Sequence, residues 1–460
     1  MTNAYFFDMD GVLFDSMPNH AKAWEQVMNS HHLHFTARDC YINEGRTGQD
    51  VIREALEQNG ILDATDEEIW HIYNEKCDLF HKLGGAPPMP GMSQVLRYLH
   101  STDAQIWVVT GSGQRTLLDH LNEVFPVTAR PLPQGEKKEE GGLYFSRNRM
   151  ITAYDVTHGK PDAEPYLKAW ERSGLKKEEC MVIENAPLGV RAGKAAGLFT
   201  VAVNTGILTP QDLWQAGADI VLNDMYELLS FVQLKHYIDL NILPYYDTFD
   251  RGHNRQHADK VIAESLTLCR DLELQPSTLH GLADSSGQGG DMNSQPSALN
   301  PLMVYAVAAY HDLGLRIDRE HHHLNSGKYI REDKELLRWF SPEQIETMAQ
   351  AAEDHRASRK EPPRSIYGCI VAEADRDIDP VTILRRTVQF SLRHYPGYTK
   401  EQHLQRAYDH MLEKYAEGGY LHLWMHSTRN EQGLADLRRI IHNKDQLLQL
   451  CSQLYDEETK

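Results

Sequence analysis

The chain has 460 residues, of which 66 are acidic and 47 basic, for a formal net charge of −19. This length predicts two or three domains. The acidic balance argues against nucleic acid as a bulk partner, because a phosphate backbone requires a positive surface. No stretch reaches about 18 consecutive apolar residues, so we expect no membrane span. The six cysteines are scattered without a CxxC pair, which favours free thiols and predicts a cytoplasmic protein.

Short apolar runs alternate with helical patterns through the first half of the chain. The runs are AYFF (4–7), QIWVVT (105–110), CMVIE (180–184), FTVAV (199–203) and ADIVL (218–222). This alternation predicts βαβ units and an α/β fold with a doubly wound, Rossmann-like parallel sheet. Residues 16–88 are polar and helical in period and contain no strand pattern, so we expect an inserted helical cap there. Residues 132–150 are predicted to form a surface loop or hairpin.

The second half, from about residue 233, is predicted to be all-α, because helical periodicity continues there without strand alternation. The predicted helices cover residues 257–273, 300–312, 327–339, 342–355, 364–376 and 380–394. Residues 282–296 have the composition of a loop. We therefore expect two domains, one over residues 1–232 and the other over residues 233–460.

Residues with phosphate chemistry follow three of the predicted strands. They are Asp8 and Asp10, then Thr110, Gly111 and Ser112, then Glu184 and Asn185, with Lys160 in the separate stretch THGKPDAEPY. Open α/β sheets bind ligands at the carboxyl ends of their strands. One carboxylate can attack phosphorus, a second can move a proton, and a lysine can neutralise phosphate oxygens. The grouping favours phosphoryl transfer over a strand end with solvated acids.

The stretches DMDGVLFDS, VVTGSGQ, DVTHGKPDAEPYL and VIENAPLGVRAGKAAG resemble the haloacid dehalogenase-like hydrolases, in the β-phosphoglucomutase-like branch with a helical cap. The resemblance covers roughly residues 1–230. It implies Asp8 as nucleophile and Asp10 as general acid/base. The phosphate would be bound by Thr110 and Lys160, and Mg²⁺ by Asp8, the Asp10 carbonyl, Glu184 and Asn185.

The sequence departs from this family in two places. The family often has Glu-Asp where this chain has Glu184-Asn185, so a neutral amide replaces one anionic ligand. The mutases carry a cap arginine where this chain has Gly48, with Arg46 close by, so we expect a phosphatase rather than a mutase. The residues expected to bind substrate are Gly111, Ser112, His20, Arg46 and Lys76, of which His20 and Lys76 match cap positions of the mutase branch.

Histidines and carboxylates recur in the second half, in RGHNRQHADKVI, AAYHDLGL, REHHHLNSGKYI, AAEDHRAS and AEADRDID. Each histidine alone is more often a surface or satisfied core residue. Imidazole and carboxylate ligands without thiolates suit Mn, Fe, Co, Ni or Zn, and water bound to such an ion can attack phosphorus. Together the stretches resemble the HD-domain metal-dependent phosphohydrolases over roughly residues 248–380.

The HD resemblance implies a set of metal ligands with the pattern H…HD…D. The implied ligands are His257, His311, Asp312 and Asp375, with Asp377 as a rival to Asp375. Members with two metals add histidines, which here would be His323 and His355. His323 is preferred to His322 because His-x3-Gly, with Gly327, is the two-metal spacing. His253 is expected to contact substrate.

The two constellations predict a bifunctional phosphohydrolase for small phosphorylated substrates, either sugar phosphates or nucleotides. The first half is expected to be a Mg²⁺-dependent phosphomonoesterase. The second is expected to use a divalent transition metal on a nucleotide, cyclic phosphate or other phosphoester. The alternative is a sugar-phosphate mutase fused to an HD domain with a regulatory, nucleotide-binding role. The sequence makes no prediction of oligomeric state.

Overall fold

The computed structural model describes residues 1–111, 117–126, 144–250, 252–275, 299–425 and 428–459. The chain divides into two compact units, Met1–Tyr237 and Ile238–Lys460. The boundary expected at residues 232–233 lies within the helix Met225–Asn241 that runs through this division. The predicted loop at residues 282–296 and most of the predicted loop at 132–150 lie outside the described residues.

A six-stranded parallel sheet forms the first unit. Its strands are β1 (Ala4–Phe7), β2 (Gln105–Val109), β3 (Met150–Ile151), β4 (Cys180–Glu184), β5 (Phe199–Val203) and β6 (Ile220–Leu222), in the order β3-β2-β1-β4-β5-β6. Phe6 of β1 lies opposite Trp107 of β2 and Val182 of β4. Nearly all strand residues are buried, as expected when a parallel sheet is covered on both faces. The predicted parallel α/β fold is confirmed, and β3 is an added strand too short for periodicity to reveal.

A helical insertion separates β1 from β2. It contains α1 (Met17–Ser30), α2 (Ala37–Ile42), α3 (Gly48–Gln58) and α4 (Asp66–Lys82), and α5 (Met92–Ser101) leads back to the sheet. The insertion has its own apolar core, with Trp24, Met28, Phe35 and Ile52 among its buried members. Thr36, Thr47 and Thr65 each accept a backbone N–H and so cap α2, α3 and α4.

The remaining helices of the first unit are α6 (Leu117–Val124), α7 (Glu164–Ser173), α8 (Pro187–Ala195), α9 (Pro210–Gln215) and α10 (Met225–Asn241). A proline in the first turn of α7, α8 and α9 favours helix initiation, because its missing N–H would have had no intrahelical partner. These helices therefore begin close to the strand ends where the candidate residues lie.

The second unit is helical throughout its described residues. Its helices are α11 (Arg255–Leu274), α12 (Pro301–Tyr310), α13 (His322–Glu332), α14 (Pro342–Asp354), α15 (Ile366–Ala374), α16 (Pro380–His394), α17 (Lys400–Tyr415), α18 (Thr428–His442) and α19 (Lys444–Glu458). Residues 302–310 of α12 are all buried, so this helix lies at the centre of the unit. The helix predicted over 327–339 is divided, because α13 ends at Glu332 and a 3₁₀ turn follows at Lys334–Arg338. None of the described helices is both long and apolar enough to cross a bilayer.

Candidate functional site

A buried ion cluster lies at the carboxyl edge of the sheet in the first unit. Lys160 Nζ donates hydrogen bonds to Asp8 Oδ1 at 2.5 Å and to Glu184 Oε1 at 2.6 Å. All three side chains are buried. Because β1 and β4 are adjacent and parallel, the residues that end them meet at one edge of the sheet. The lysine therefore joins two carboxylates supplied by neighbouring strands.

The protonation of this cluster follows from burial and from its dense charge. Burial, the largest effect, raises the pKa of Asp8 to about 7, with Lys160 opposing the rise and Glu184 adding to it. Burial would lower the pKa of Lys160, but the two carboxylates outweigh it and the net shift is upward. A divalent cation beside Asp8 would lower its pKa and favour the ionised, nucleophilic form.

A carboxylate from the helical insertion also reaches this edge. Glu44 lies between α2 and α3, and its Oε2 accepts a hydrogen bond from Asn185 Nδ2 at 3.0 Å. Burial raises the pKa of Glu44 well above its ordinary range, and Asp8 and Glu184 raise it further. Glu44 was not among the residues predicted for this site, where the stretch NEGRTGQD was expected to contribute only Arg46. Its one sequence signal is an acidic residue in a short loop between two insertion helices.

Two acceptor oxygens at this edge have no donor. Asn185 Oδ1 and Glu44 Oε1 are buried and lack a hydrogen-bond partner among the described residues. Buried acceptors are normally satisfied, and carboxylate and amide oxygens are the ligands that Mg²⁺ prefers. The oxygens of Asp8, Glu44 and Asn185 therefore fit a hard divalent cation at this position.

Asp10 lies at the end of a hydrogen-bonded chain that begins in the insertion. Lys76 Nζ donates to His20 Nδ1 at 2.9 Å, and His20 Nε2 lies 3.4 Å from Asp10 Oδ1. Because Nδ1 accepts from the ammonium group, the imidazole proton is on Nε2 and faces Asp10. Ser16 Oγ also donates to Asp10 Oδ1, at 2.5 Å. Burial would raise the pKa of Asp10, but His20 and Ser16 outweigh it and the net shift is downward.

The other residues expected in this site lie in different surroundings. Thr110 is buried, and its backbone N–H donates to Ile151 O at 2.9 Å. Gly111 is exposed near the backbone of Gly45. The guanidinium of Arg46 pairs with Glu54 inside the insertion. Ser112 lies outside the described residues.

Comparison with known proteins identifies the family of this half. The model of the haloacid dehalogenase-like hydrolases matches residues 2–197. A phosphorylated carbohydrates phosphatase of Thermotoga maritima is 30% identical over 237 residues, which cover 49% of this chain and 99% of the relative. The N-terminal half of the chain belongs to the haloacid dehalogenase-like hydrolases.

Two further relatives match this N-terminal half, Met1–Tyr237, which we call the hydrolase half. Hexitol phosphatase A of Escherichia coli K12 is 26% identical over 231 residues, covering 49% of this chain and 92% of the relative. A solved structure from Bacteroides vulgatus, assigned as a beta-phosphoglucomutase, is 43% identical, with a TM-score of 0.45, and covers 50% of this chain and 88% of that one. Because the sequence relatives of this half include phosphatases and a beta-phosphoglucomutase of Mycobacterium bovis, the hydrolase half is a phosphatase or phosphomutase of this family, acting on phosphate esters.

A second cluster of candidate ligands lies in the second unit. His311 and Asp312 directly follow α12, His257 lies in the first turn of α11, and Asp375 directly follows α15. His257 Nε2 lies 3.3 Å from His311 Nε2, 3.6 Å from Asp312 Oδ2 and 3.1 Å from Asp375 Oδ1. We call these four residues the first metal group.

Asp312 Oδ2 lies near His257, and the other carboxylate oxygen, Oδ1, faces a second set of histidines. Asp312 Oδ1 lies 3.5 Å from His322 Nε2 and 3.5 Å from His355 Nε2, and these two nitrogens are 3.3 Å apart. We call Asp312, His322 and His355 the second metal group. One buried carboxylate thus offers one oxygen to each group, the arrangement expected of a ligand shared by two ions.

The histidine tautomers in these groups are compatible with bound cations. Nδ1 of His311 lies 2.7 Å from Ala308 O, that of His355 lies 2.6 Å from Ala352 O, and that of His322 lies 2.9 Å from Arg319 O. A carbonyl oxygen only accepts, so each neutral ring carries its proton on Nδ1. The Nε2 lone pairs of His322 and His355 therefore face each other and Asp312, and that of His311 faces His257 and Asp312. Such converging acceptors fit a bound metal ion.

The pKa values of the carboxylates and of His311 in this cluster are set by burial and by the contacts among them. Burial would raise the pKa of Asp312, but His311 and His355 outweigh it and hold that pKa well below its ordinary range. The pKa of Asp375 is lowered in the same way, mainly by His257. Burial would lower the pKa of His311, but the negative charge of Asp312 outweighs burial, and the net shift of that pKa is upward.

The structure places His322, and not the preferred His323, beside His355 and Asp312. His323 belongs to neither metal group, and its Nδ1 is buried without a hydrogen-bond partner among the described residues. The spacing to Gly327 has a packing cause: a Cβ there would lie 2.6 Å from Glu353 Cγ, so the glycine lets α13 approach α14. That spacing therefore does not identify which histidine faces the cluster.

The two remaining candidates in this half are also placed. Asp377 pairs with Lys260 Nζ at 2.7 Å, whereas its rival Asp375 faces His257. His253 Nδ1 lies 2.9 Å from Asp250 Oδ1, and His253 lines the same cavity as His257 and Asp375.

Proposed function

We propose that this chain is a bifunctional phosphohydrolase. The hydrolase half would be a Mg²⁺-dependent phosphomonoesterase for small phosphorylated sugars, and the second half a metal-dependent phosphohydrolase of the HD type. The observation that carries the first assignment is the Asp8–Lys160–Glu184 cluster, with Asp10 beside it. The second rests on Asp312, which offers one oxygen to each metal group.

In the proposed reaction of the first half, Asp8 attacks phosphorus and an Asp8–phosphate bond forms. The bond between phosphorus and the ester oxygen breaks, and Asp10 gives a proton to the leaving alcohol. Because His20 and Ser16 outweigh burial and lower the pKa of Asp10 in the free site, Asp10 would take up that proton as the anionic phosphate binds beside it. Asp10, now ionised, then takes a proton from water as that water attacks the aspartyl phosphate. Phosphate leaves, and Asp8 is regenerated. His20 and Ser16, both within reach of Asp10 Oδ1, would hold the carboxyl group in place for both proton transfers.

The hydrolase half would hold Mg²⁺ through Asp8, the Asp10 carbonyl and Asn185, with Glu184 and Glu44 adding negative charge. The bound ion would neutralise charge on the phosphoryl oxygens and orient them toward Asp8. Lys160 contributes a further positive charge beside Asp8, in the position expected for binding a phosphate oxygen.

Sugar phosphates are the proposed substrates because relatives of this half are named as phosphatases of phosphorylated carbohydrates and hexitols. A mutase is the second candidate, favoured by the Lys76–His20–Asp10 chain. Two observations favour the phosphatase. Arg46 is paired with Glu54, and a Cβ at Gly48 would lie 2.1 Å from the Tyr73 ring, so an arginine at position 48 would displace that ring.

For the second half, the two metal groups would hold two divalent ions chosen from Mn, Fe, Co, Ni and Zn, because the ligands are imidazoles and carboxylates. Ions bound there would activate water and polarise a phosphoryl group. The regulatory alternative, in which this half only binds a nucleotide, is less favoured. A pure binding site has no need for two converging groups of metal-ligand atoms.

The test uses the full chain and two variants that disable one half each, Asp8→Asn and His311→Ala with Asp312→Ala. Phosphomonoesters, phosphodiesters and nucleotides are screened with Mg²⁺ and with Mn²⁺. We expect Asp8→Asn to remove only the Mg²⁺-dependent monoesterase activity. The double variant should remove the second activity and the transition metal, leaving the monoesterase rate within a few-fold. A monoesterase change well above about tenfold in the double variant, with circular dichroism unchanged, would favour the regulatory alternative.

A further inference from the structure

A cavity of about 870 Å³ adjoins the first metal group of the second unit. His257 and Asp375 form part of its lining, which continues along α16 and α17. The volume is in the range of cavities that hold a whole small molecule, and it far exceeds what one phosphate group needs. The cavity therefore has room for a substrate that extends well beyond a group bound at the metal ligands.

One face of α17 presents three basic side chains to this cavity. Arg406, His410 and Lys414 follow each other at intervals of four residues, so they lie on one side of the helix, and all three line the cavity. Like charges at this spacing destabilise a helix. We call these three residues the basic face.

The basic face is not matched by ion pairs among the described residues. The carboxylates that line the same cavity are Asp375, of the first metal group, and Asp377, which pairs with Lys260, and Asp375 attracts Lys414 without forming an ion pair with it. Among the described residues, no carboxylate forms an ion pair with Arg406 or Lys414. Neighbouring cations are paired: Lys400, on the same helix, contacts Asp456 at 2.6 Å, and Lys260, in the same cavity, contacts Asp377 at 2.7 Å. The chain has a net charge of −19, so acidic side chains outnumber basic ones, and basic side chains without an ion-pair partner are unexpected in it.

Arg406 is also held in a fixed position. Its guanidinium lies 4.8 Å from the centre of the Phe390 ring and 5.0 Å from that of Tyr395. Its Nη1 is buried and has no hydrogen-bond acceptor among the described residues. Burying a cationic N–H group without a hydrogen-bond acceptor costs free energy. The position of Arg406 between two aromatic rings, with Nη1 lacking an acceptor, therefore indicates a site for a bound anion.

We propose that the basic face binds a second anionic group of the substrate of this half, which would therefore be a bisphosphorylated molecule. One phosphate group would lie at the metal groups, and that part of the inference rests on the proposed function. The other would lie at Arg406 and Lys414. The Cα atoms of these two residues are about 12 Å apart along the helix axis, at 1.5 Å per residue, so both long side chains would bend toward His410, midway between them, to contact one phosphate group.

The test compares two probes that differ by one phosphate group, hexyl phosphate and 1,6-hexanediol bisphosphate. Binding is measured by calorimetry on the full chain without added Mg²⁺, for the parent and for Arg406→Gln and Lys414→Gln. Lys400→Gln is the matched control, because it removes a charge from the same helix outside the cavity. The hydrolase half is unchanged in all four proteins, so differences among them report on the second half.

We expect Arg406→Gln and Lys414→Gln each to weaken bisphosphate binding about tenfold, while hexyl phosphate binding changes by less than about twofold. Lys400→Gln should change neither, and metal content and melting temperature should match the parent in every variant. Equal affinities of parent and variants for the bisphosphate would overturn the proposal, as would an equal loss for both probes. Absence of transition metal from the parent would instead contradict the metal-dependent function proposed for the second half. The bisphosphate comparison would still show whether the basic face binds a phosphate group.

Discussion

Glu44 of the helical insertion accepts a hydrogen bond from Asn185, which directly follows strand β4, at 3.0 Å. The contact brings a carboxylate to the position where the family often has an aspartate and this chain has a neutral amide. Both side chains also present a buried oxygen without a donor among the described residues. Because burial raises the pKa of Glu44 well above its ordinary range, the insertion would supply the negative charge that Asn185 lacks only when a bound cation favours the ionised form of Glu44.

Glu44→Gln should weaken Mg²⁺ binding roughly tenfold, because it removes a negative charge beside the candidate ligands without changing the size of the side chain. Calorimetric Mg²⁺ titration gives the affinity directly, and the Mg²⁺ dependence of phosphatase activity should shift with it. Glu57→Gln, an exposed change on α3, is the control and should have no effect. Adding Asn185→Asp to Glu44→Gln should restore the affinity. Unchanged Mg²⁺ binding in Glu44→Gln would show that this carboxylate plays no part at the metal.

Asp8→Asn should reduce phosphomonoester hydrolysis by several orders of magnitude, as removal of a nucleophile usually does. An amide is nearly isosteric with the carboxylate, and Lys160 keeps its contact with Glu184, so the fold should survive. Steady-state rates with Mg²⁺ and circular dichroism are the measurements. Asp162→Asn, in the same loop as Lys160 but exposed, is the comparison. Near-normal turnover by Asp8→Asn would rule out the covalent mechanism.

His322→Ala should remove one of the two proposed metal ions from the second half, whereas His323→Ala should leave the metal content unchanged. The two residues are adjacent in sequence, but only His322 Nε2 lies near Asp312 Oδ1. Elemental analysis of protein purified without chelator measures the number of ions per chain. The reverse pattern, with metal lost only from His323→Ala, would restore the ligand first inferred from the spacing to Gly327.

Arg331→Met should destabilise the second unit, and the effect should fade in acid. Arg331 makes two contacts with Glu346, at 2.7 and 2.9 Å, and a third with Glu353 at 2.5 Å, which join α13 to α14. Arg331 lowers the pKa of Glu346 from its ordinary value of 4.5 to about 2. A depressed carboxyl pKa contributes stability that is present above pH 4.5 and is lost as the pH falls toward 2.

Because the arginine and Glu346 are partly exposed, solvent screening limits the expected loss near neutral pH to about 1 kcal/mol. Urea unfolding of parent and variant at about pH 7 and about pH 3.5 measures the difference in free energy of unfolding, which should shrink at the lower pH. Arg338→Met, in the turn that follows α13, is the control, because it removes an exposed contact with Glu335 and a cation–π contact with Trp339 but none with Glu346 or Glu353. A difference that stays constant with pH would exclude the carboxylate partners as its source.

The sequence predicted the sheet because strands buried on both faces appear as continuous apolar runs, and five of the six strands could be recognised in this way. It also predicted which polar residues end those strands. Parallel strands in a doubly wound sheet bring their carboxyl ends to one edge, so Asp8 and Glu184 were predicted to lie together. Lys160, which ends no strand, was added to them for its charge and for the family resemblance of its stretch. Strand β3 was not predicted, because a strand of two residues is too short to show a periodic pattern.

The choice between His322 and His323 illustrates what local sequence leaves open. Adjacent residues on a helix point about 100° apart, and which one faces Asp312 depends on how α13 packs against α14. Gly327 allows that packing, and its spacing to a histidine does not indicate which of the two histidines faces Asp312.

The sequence by itself determined the class of fold, the strand-end residues and the kinds of ligand atoms, because these depend on local hydrophobicity and on residue chemistry. Only the tertiary structure decided that Glu44 reaches Asn185, that His322 faces the cluster, and that Arg406 and Lys414 line a cavity without forming an ion pair among the described residues. Each of these depends on contacts between segments far apart in the chain, whose relative positions are set by core packing and not by local pattern.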